Sequence, residues 1–220
     1  GVFAMELGGP EVGRGCGGRG IIHGFETLEK LGFNDWGFDY VLLDFLGDVV
    51  CGGFGLPIAR DMCQKVIVVC SNDLQSLYVA NNVCSAAQYF RKLGGHVGVA
   101  GAVINKDDGT GEARAFADKV GIPVLAAIPA DDDIRRKSAK YEIIGRPESP
   151  WGSLFAELAD NVATAPPLGP APLDQDQLLG LFDGSDVGRD VVLEPATLED
   201  VAGPQQARRK SLEVIYDRGV

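Results

Sequence analysis

Short apolar runs along this chain are separated by longer stretches of mixed polarity, a pattern that predicts β-strands alternating with α-helices. The runs short enough to be strands are residues 2–7, 38–43, 65–71, 97–105 and 123–128. Most of these runs are apolar at nearly every position, which is typical of strands buried on both faces of a parallel sheet. Because the carboxyl ends of such strands meet at one edge of the sheet, we expect any ligand site to lie there.

Between these runs lie stretches with helical spacing or helix-capping signals. They cover residues 21–31, 73–93, 112–120, 131–139 and 175–182. Asp73 is a typical N-cap for the longest of them, and Gly94 and Gly95 end it. Strands alternating with helices predict an α/β fold, a mostly parallel sheet with helices on both faces.

The composition changes after residue 163. Residues 163–177, ATAPPLGPAPLDQDQ, are rich in proline and polar side chains, which is typical of an extended linker. The chain beyond residue 183 is polar and weakly patterned. We therefore predict one domain over residues 1–163, followed by a linker and a C-terminal tail over residues 164–220.

Charge and cysteine content narrow the class of protein. The 220 residues carry a net charge of −11, which argues against nucleic-acid binding. No apolar run approaches the roughly 20 residues of a membrane-spanning helix. Five cysteines, an odd number, occur without a recognisable signal peptide. This predicts a reducing, cytoplasmic location and a metal or redox use of cysteine rather than disulfides.

Cys16 and Cys51 each lie within a cluster of glycines, in GCGG and CGG. Glycine lets the backbone approach a bulky ligand, and its N–H groups can donate to the sulfurs of an iron–sulfur cluster. Such a cluster usually needs four thiolates, so two cysteines per chain would serve a two-fold dimer. The alternative from spacing alone is that these are unrelated loop residues. Cys63, Cys70 and Cys84 lie near predicted strands and helices, and we expect them in the core.

Asp44 follows the run 38–43, where a site for Mg²⁺ and a nucleotide of the P-loop class places an acid. Asp48 lies four residues further on and is a candidate for activating water. The alternative is that both acids cap backbone N–H groups of a loop. Asn105, and Pro129 with Asp131, follow later strands and are candidates for reading an adenine edge, although polar residues leaving a strand explain them equally well.

Two longer segments resemble the nitrogenase iron protein family, which includes the iron proteins of protochlorophyllide and chlorophyllide a reductases. They are GGPEVGRGCGGRGI around Cys16 and LLDFLGDVVCGGFGLPI around Cys51. The stretches AMELGGPEVGRG, SNDLQSLYVANNVCSA, FRKLGGHVGVAG and VINKDDGTGEA are most similar to the chlorophyllide a reductase branch. The resemblance covers residues 1 to about 160 and is weak in the tail.

The resemblance implies a homodimer that holds one [4Fe-4S] cluster between its subunits through Cys16 and Cys51. Arg19 matches a surface arginine beside the cluster, in the face that docks on a partner. The implied activity is ATP-dependent electron donation to a two-protein catalytic component that carries a tetrapyrrole, in bacteriochlorophyll biosynthesis. A ferredoxin-type donor would reduce the cluster.

The resemblance also implies a Mg-ATP site. Asp44 matches the acid at the magnesium ion and Asp48 the acid implicated in water activation, while Asn105, Pro129 and Asp131 match adenine-side positions. No GxxxxGK[ST] phosphate loop occurs in this sequence. We therefore expect a fragment that lacks the family's first strand, phosphate loop and helix, and that is inactive alone. Alternatives are an iron protein of protochlorophyllide reductase or nitrogenase, or a cluster-free positioning or regulatory ATPase.

Overall fold

A sheet of three parallel strands lies at the centre of the computed structural model, which describes residues 1–7, 17–47, 55–60 and 62–183. The strands are β1 (Lys65–Cys70), β2 (Gly98–Asp107) and β3 (Val124–Pro129), and they are ordered β1-β2-β3. The three confirm the predicted strands 65–71, 97–105 and 123–128. Residues Gly1–Asp183 group into one compact unit.

Helices occupy every stretch in which the sequence predicted one. They are α1 (Gly17–Lys30), α2 (Leu56–Ala59), α3 (Leu74–Lys92), α4 (Glu112–Val120), α5 (Asp132–Ala139), α6 (Gly152–Thr164) and α7 (Gln175–Leu179), with single 3₁₀ turns at Phe33–Asp35 and Gly180–Phe182. Asp73 caps α3 as predicted, since its carboxylate accepts the N–H of Ser76 at 2.8 Å. The sequence had not predicted α2 or α6.

The two faces of the sheet are covered by different helices. Val66, Val68 and Cys70, which alternate along β1, pack into the main core with α3 and α4. Lys65 lies on the opposite face of the same strand and donates from Nζ to the Val162 and Ala163 carbonyls at the end of α6. This arrangement confirms the predicted α/β class, a parallel sheet with helices on both faces.

The strands predicted at residues 2–7 and 38–43 are wrong. Both stretches are irregular, and most of their apolar side chains face solvent, with Phe3 81%, Tyr40 74% and Leu42 84% exposed. Leu7 and Leu43 are half-buried and pack against a small apolar cluster built on α1. A parallel strand needs a neighbouring strand to pair its backbone N–H and C=O groups. In the part of the chain that the structure describes, neither stretch has such a neighbour, and β1 is paired only with β2.

The proline-rich stretch packs closely against the sheet. Leu168 exchanges two backbone hydrogen bonds of 2.9 Å with Val99 of β2. A Cβ on the neighbouring Gly98 would lie 2.6 Å from the Leu168 carbonyl oxygen, so only glycine allows this approach. Pro170 is fully buried and Leu178 joins the main core. The domain boundary at residue 163 stays a prediction, but the chain is extended beyond it and packs as part of the compact unit.

Candidate functional site

An open groove runs along the unpaired edge of β1. Its volume is about 600 Å³, and residues 41–47 form the wall opposite the strand. Val79 and Val83 of α3 line one side, and Leu158 and Val162 of α6 line the other. The groove therefore lies between α3 and α6, and it is open to solvent along residues 41–46, where Leu42 is 84% and Leu46 67% exposed.

Two of the residues predicted for the site line this groove together. Asp44 belongs to the wall formed by residues 41–47, and Asn105 comes from β2. Asp44 is exposed and does not follow a strand, contrary to the sequence prediction, while Asn105 is half-buried. In this groove the carboxylate of Asp44 could bind a cation. The amide of Asn105 could form hydrogen bonds with a polar group of a ligand.

Asn105 lies in an irregularity of β2. The ladder with β3 pairs Ile104 with Ala127 and resumes at Asp107 with Pro129, so β2 carries one extra residue between these points. Lys106 within this bulge has φ of 54°, a left-handed conformation that non-glycine residues rarely adopt. The Lys106 N–H donates to the Asn105 side-chain oxygen at 3.0 Å. Bulges of this kind re-aim a side chain and are common beside functional sites.

A buried amide that sequence reasoning missed connects β1 to this bulge. Asn72, only 7% exposed, donates from Nδ2 to Asp107 Oδ1 at 3.1 Å and to Asp108 Oδ1 at 2.6 Å. Its Oδ1 accepts the N–H of Ala113 in α4 at 2.9 Å. No spacing in the sequence marks Asn72, because its partners lie 35 to 41 positions away.

Both carboxylates of this cluster stay charged at neutral pH. Burial alone would raise the pKa of Asp107, but hydrogen bonds from the Gly109 N–H and the Asn72 amide help to hold that pKa below its ordinary value. Hydrogen bonds from Thr110, followed by that from Asn72, lower the pKa of Asp108. Charged acceptors strengthen the bonds that Asn72 donates.

Pro129 and Asp131 lie at the same edge of the sheet but do not line the groove. Pro129 is the last residue of β3, and the N–H of Ala130 donates to the Asp107 carbonyl at 2.9 Å. Asp131 is the N-cap of α5, where its Oδ1 accepts the N–H of Asp133 at 2.7 Å. Capping occupies one carboxylate oxygen, so the structure gives Asp131 a local role of the kind that the sequence left open.

Of the four remaining predicted site residues, the structure describes only Arg19. Arg19 is exposed in the first turn of α1. Cys16, Cys51 and Asp48 lie outside the described residues. Within the described ranges, no group of three or more His, Cys, Asp or Glu side chains could hold a metal ion.

The three other cysteines differ from typical metal ligands. Cys70 and Cys84 are buried, and burial raises the pKa of their thiols to about 11 and about 12. Cys63 is half-buried and donates from Sγ to the Pro57 carbonyl at 3.7 Å. The buried pair is protonated and shielded, as the sequence predicted for core thiols.

Helix α6 is anchored at both ends. Besides the contacts of Lys65 with its last turn, the Trp151 indole N–H, at the start of α6, donates to Asp133 Oδ2 of α5 at 3.1 Å. Asn161 donates to the Leu125 carbonyl of β3 at 2.8 Å.

None of the helices in the described ranges has the length and apolar character to cross a membrane.

Comparison with known proteins places the chain among longer relatives. A chlorophyllide reductase 35.5 kDa chain from Rhodobacter capsulatus is 76% identical over 217 residues, which are 99% of this chain and 65% of that protein. The corresponding chain from Cereibacter sphaeroides is 74% identical with the same coverage. The chain thus spans just under two thirds of the length of these relatives.

More distant similarities are weaker. Nitrogenase iron protein 2 of Methanothermobacter thermautotrophicus is 36% identical over 188 residues, 83% of this chain and 69% of that protein. Among solved structures, the cell division ATPase MinD of Pyrococcus furiosus is 21% identical with a TM-score of 0.46, over 66% of this chain and 58% of that chain. A similarity of that size adds nothing to the assignment.

A family model matches most of the chain. It describes 4Fe-4S iron sulfur cluster binding proteins and aligns with residues 1–187. Together with the identities above, this match confirms the resemblance noted from the two glycine-rich cysteine segments. The chain belongs to the NifH/frxC family of 4Fe-4S iron sulfur cluster binding proteins.

Proposed function

We propose that this chain is part of the ATP-dependent iron protein of chlorophyllide a reductase, an oxidoreductase component in bacteriochlorophyll biosynthesis. The observation that supports the nucleotide part is that Asp44 and Asn105 both line the groove beside β1. In this proposal Asp44 binds the Mg²⁺ of bound ATP, and Asp48 orients the water that attacks ATP. Asn105, Pro129 and Asp131 take the adenine side.

The cluster part of the proposal assigns Cys16 and Cys51 of each subunit in a homodimer as ligands of one bridging [4Fe-4S] cluster. Both cysteines lie in glycine-rich stretches of the sequence, whose backbone N–H groups can donate to the sulfurs of such a cluster. Cys70 and Cys84 do not compete for iron, because burial keeps both protonated. The bound cluster would supply the electron.

The partner side of the proposal rests on Arg19 and on the relatives. Arg19 is exposed three residues after Cys16, so a docked protein can contact it close to the proposed cluster. Since the relatives are chlorophyllide reductase chains, we propose that this partner is a two-protein catalytic component that carries the tetrapyrrole. We further propose a ferredoxin-type electron donor and a cytoplasmic location.

Iron content tests the cluster assignment. The native polypeptide, purified without oxygen, should carry four iron atoms per dimer, the number in one [4Fe-4S] cluster. Replacing Cys16 or Cys51 by serine should abolish the iron. Cys63→Ser and Cys84→Ser are the matched controls and should keep it. Iron retained in both Cys16→Ser and Cys51→Ser would contradict the proposal, and an iron-free wild type would favour a cluster-free ATPase instead.

A further inference from the structure

The buried amide of Asn72 is the best candidate for a role beyond those already proposed. It lies two residues after the end of β1 and is fully engaged, since both of its N–H groups donate to carboxylates and its carbonyl accepts from α4. A buried side chain amide that satisfies its partners this completely fixes the segments that it joins. Those segments are the end of β1, the start of α4, and the turn that follows the bulge in β2.

The bulge itself needs support on both sides. Lys106 is held in a left-handed conformation, and strained residues of this kind persist only where their surroundings over-determine them. On the strand side, Ile104 is fixed by its pairing with Ala127 of β3. Beyond the bulge, Asp107 and Asp108 receive the two N–H groups of Asn72.

The bulge determines where Asn105 points. Its side-chain oxygen accepts the Lys106 N–H, and in the described residues no partner receives a hydrogen bond from its Nδ2. The Asn105 amide therefore keeps its Nδ2 donor and the second lone pair of its oxygen for a ligand of the groove. A donor beside an acceptor matches the N7 and N6 positions of adenine, whereas guanine presents acceptors at both of the corresponding positions. If the turn after Lys106 were released, the hydrogen bond within the bulge would no longer hold that amide in one orientation.

We propose that Asn72 is a positioning residue for nucleotide recognition: by clamping Asp107 and Asp108 it holds the Asn105–Lys106 bulge, and so sets the preference of the site for adenine over guanine. This inference rests on the proposed nucleotide site. It assigns Asn72 no contact with the nucleotide.

The test is a comparison of base preference in variants of the native polypeptide. Binding of a fluorescent ATP analogue is displaced by ATP or by GTP in the presence of Mg²⁺, and the ratio of the two dissociation constants is the readout. Asn72→Ala should reduce the preference for ATP about tenfold, the scale of one lost hydrogen bond to a buried group. The matched control is Asn81→Ala, because Asn81 is 8% exposed and makes two 2.8 Å bonds with Leu173, away from the bulge.

Two further comparisons separate positioning from loss of stability. Asp108 is exposed, so its substitution leaves the core intact: Asp108→Ala should reduce the base preference, whereas Asp108→Asn keeps an acceptor for Asn72 and should retain it. In an Asn105→Ala background, Asn72→Ala should have no additional effect, since it acts through Asn105.

The outcomes are distinct. An unchanged preference in Asn72→Ala, or an equal loss in Asn81→Ala, overturns the inference. If Asn72→Ala does not fold, equal preferences in Asp108→Ala and Asp108→Asn overturn it. A wild type that binds neither nucleotide contradicts the proposed function and this inference with it, whereas a wild type that prefers ATP with no effect of Asn72 or Asp108 contradicts this inference alone.

Discussion

Gly98 tests whether the proline-rich stretch is part of the folded domain. An alanine Cβ at this position would lie 2.6 Å from the Leu168 carbonyl oxygen and 2.7 Å from the Pro167 carbonyl carbon. Carbon atoms pack favourably at about 3.5–4.0 Å, so the stretch would have to move outward by roughly 1 Å. Both of the atoms that it meets belong to backbone, which cannot turn away as a side chain does.

The expected loss of stability follows from this displacement. Overpacking of this kind costs about 1–3 kcal/mol. The two hydrogen bonds between Val99 and Leu168, each 2.9 Å long, are the first that the movement would break. Losing both would add up to about 2 kcal/mol. We therefore expect Gly98→Ala to lower the free energy of unfolding by about 1–5 kcal/mol.

Urea denaturation followed by circular dichroism measures this change. Gly180→Ala is the matched control, because a Cβ there would lie 3.7 Å from Asp183 Oδ2, an ordinary contact, and Gly180 has a helical backbone with φ of −62°. The control should be neutral or slightly stabilising. A Gly98→Ala variant within about 0.5 kcal/mol of the wild type, the range of ordinary surface substitutions, would refute the close packing of residues 164–173 on β2.

Two other predictions concern acids and thiols. The pKa of Asp73 is lowered from its ordinary value of 3.8, chiefly by a hydrogen bond from Ser71. The charged carboxylate therefore stabilises the folded state above pH 3.8, and this contribution is lost as the pH falls through the lowered pKa. The stability difference between the wild type and Asp73→Asn, which keeps an N-cap without a titrating group, should therefore shrink below pH about 4; a constant difference from pH 7 to pH 2 would contradict this. Iodoacetamide at pH 8 should modify Cys70 and Cys84 only after unfolding, because burial raises their thiol pKa to about 11 and about 12, and peptide mass spectrometry that finds either modified in the native protein would show the core to be open.

Helices were predictable from the sequence because their signals are local. Asp73 and the glycines after Leu93 mark the ends of α3 within a few residues, and the structure begins and ends that helix there. Helix α6 was missed although Leu154, Phe155 and Leu158 have helical spacing.

The strand predictions failed where pairing decides the outcome. Residues 38–43 are as apolar as those of β1, but a strand also requires a partner, and hydropathy carries no information about its presence. The same limit applies to the site. The position of Asn105 was predicted from its place at the end of a strand, whereas Asn72 could not be found, since its role depends on carboxylates that only the fold brings near it.

Helix α6 crosses one face of the sheet and is held by hydrogen bonds at both of its ends. Its 13 residues span about 20 Å, from Trp151 beside α5 near the carboxyl ends of the strands to the carbonyls held by Lys65 at the start of β1. Because both ends are fixed, the helix cannot tilt at one end without moving the other. A shift of α5 at the carboxyl edge of the sheet would therefore pull on the same helix that Lys65 holds at the opposite edge.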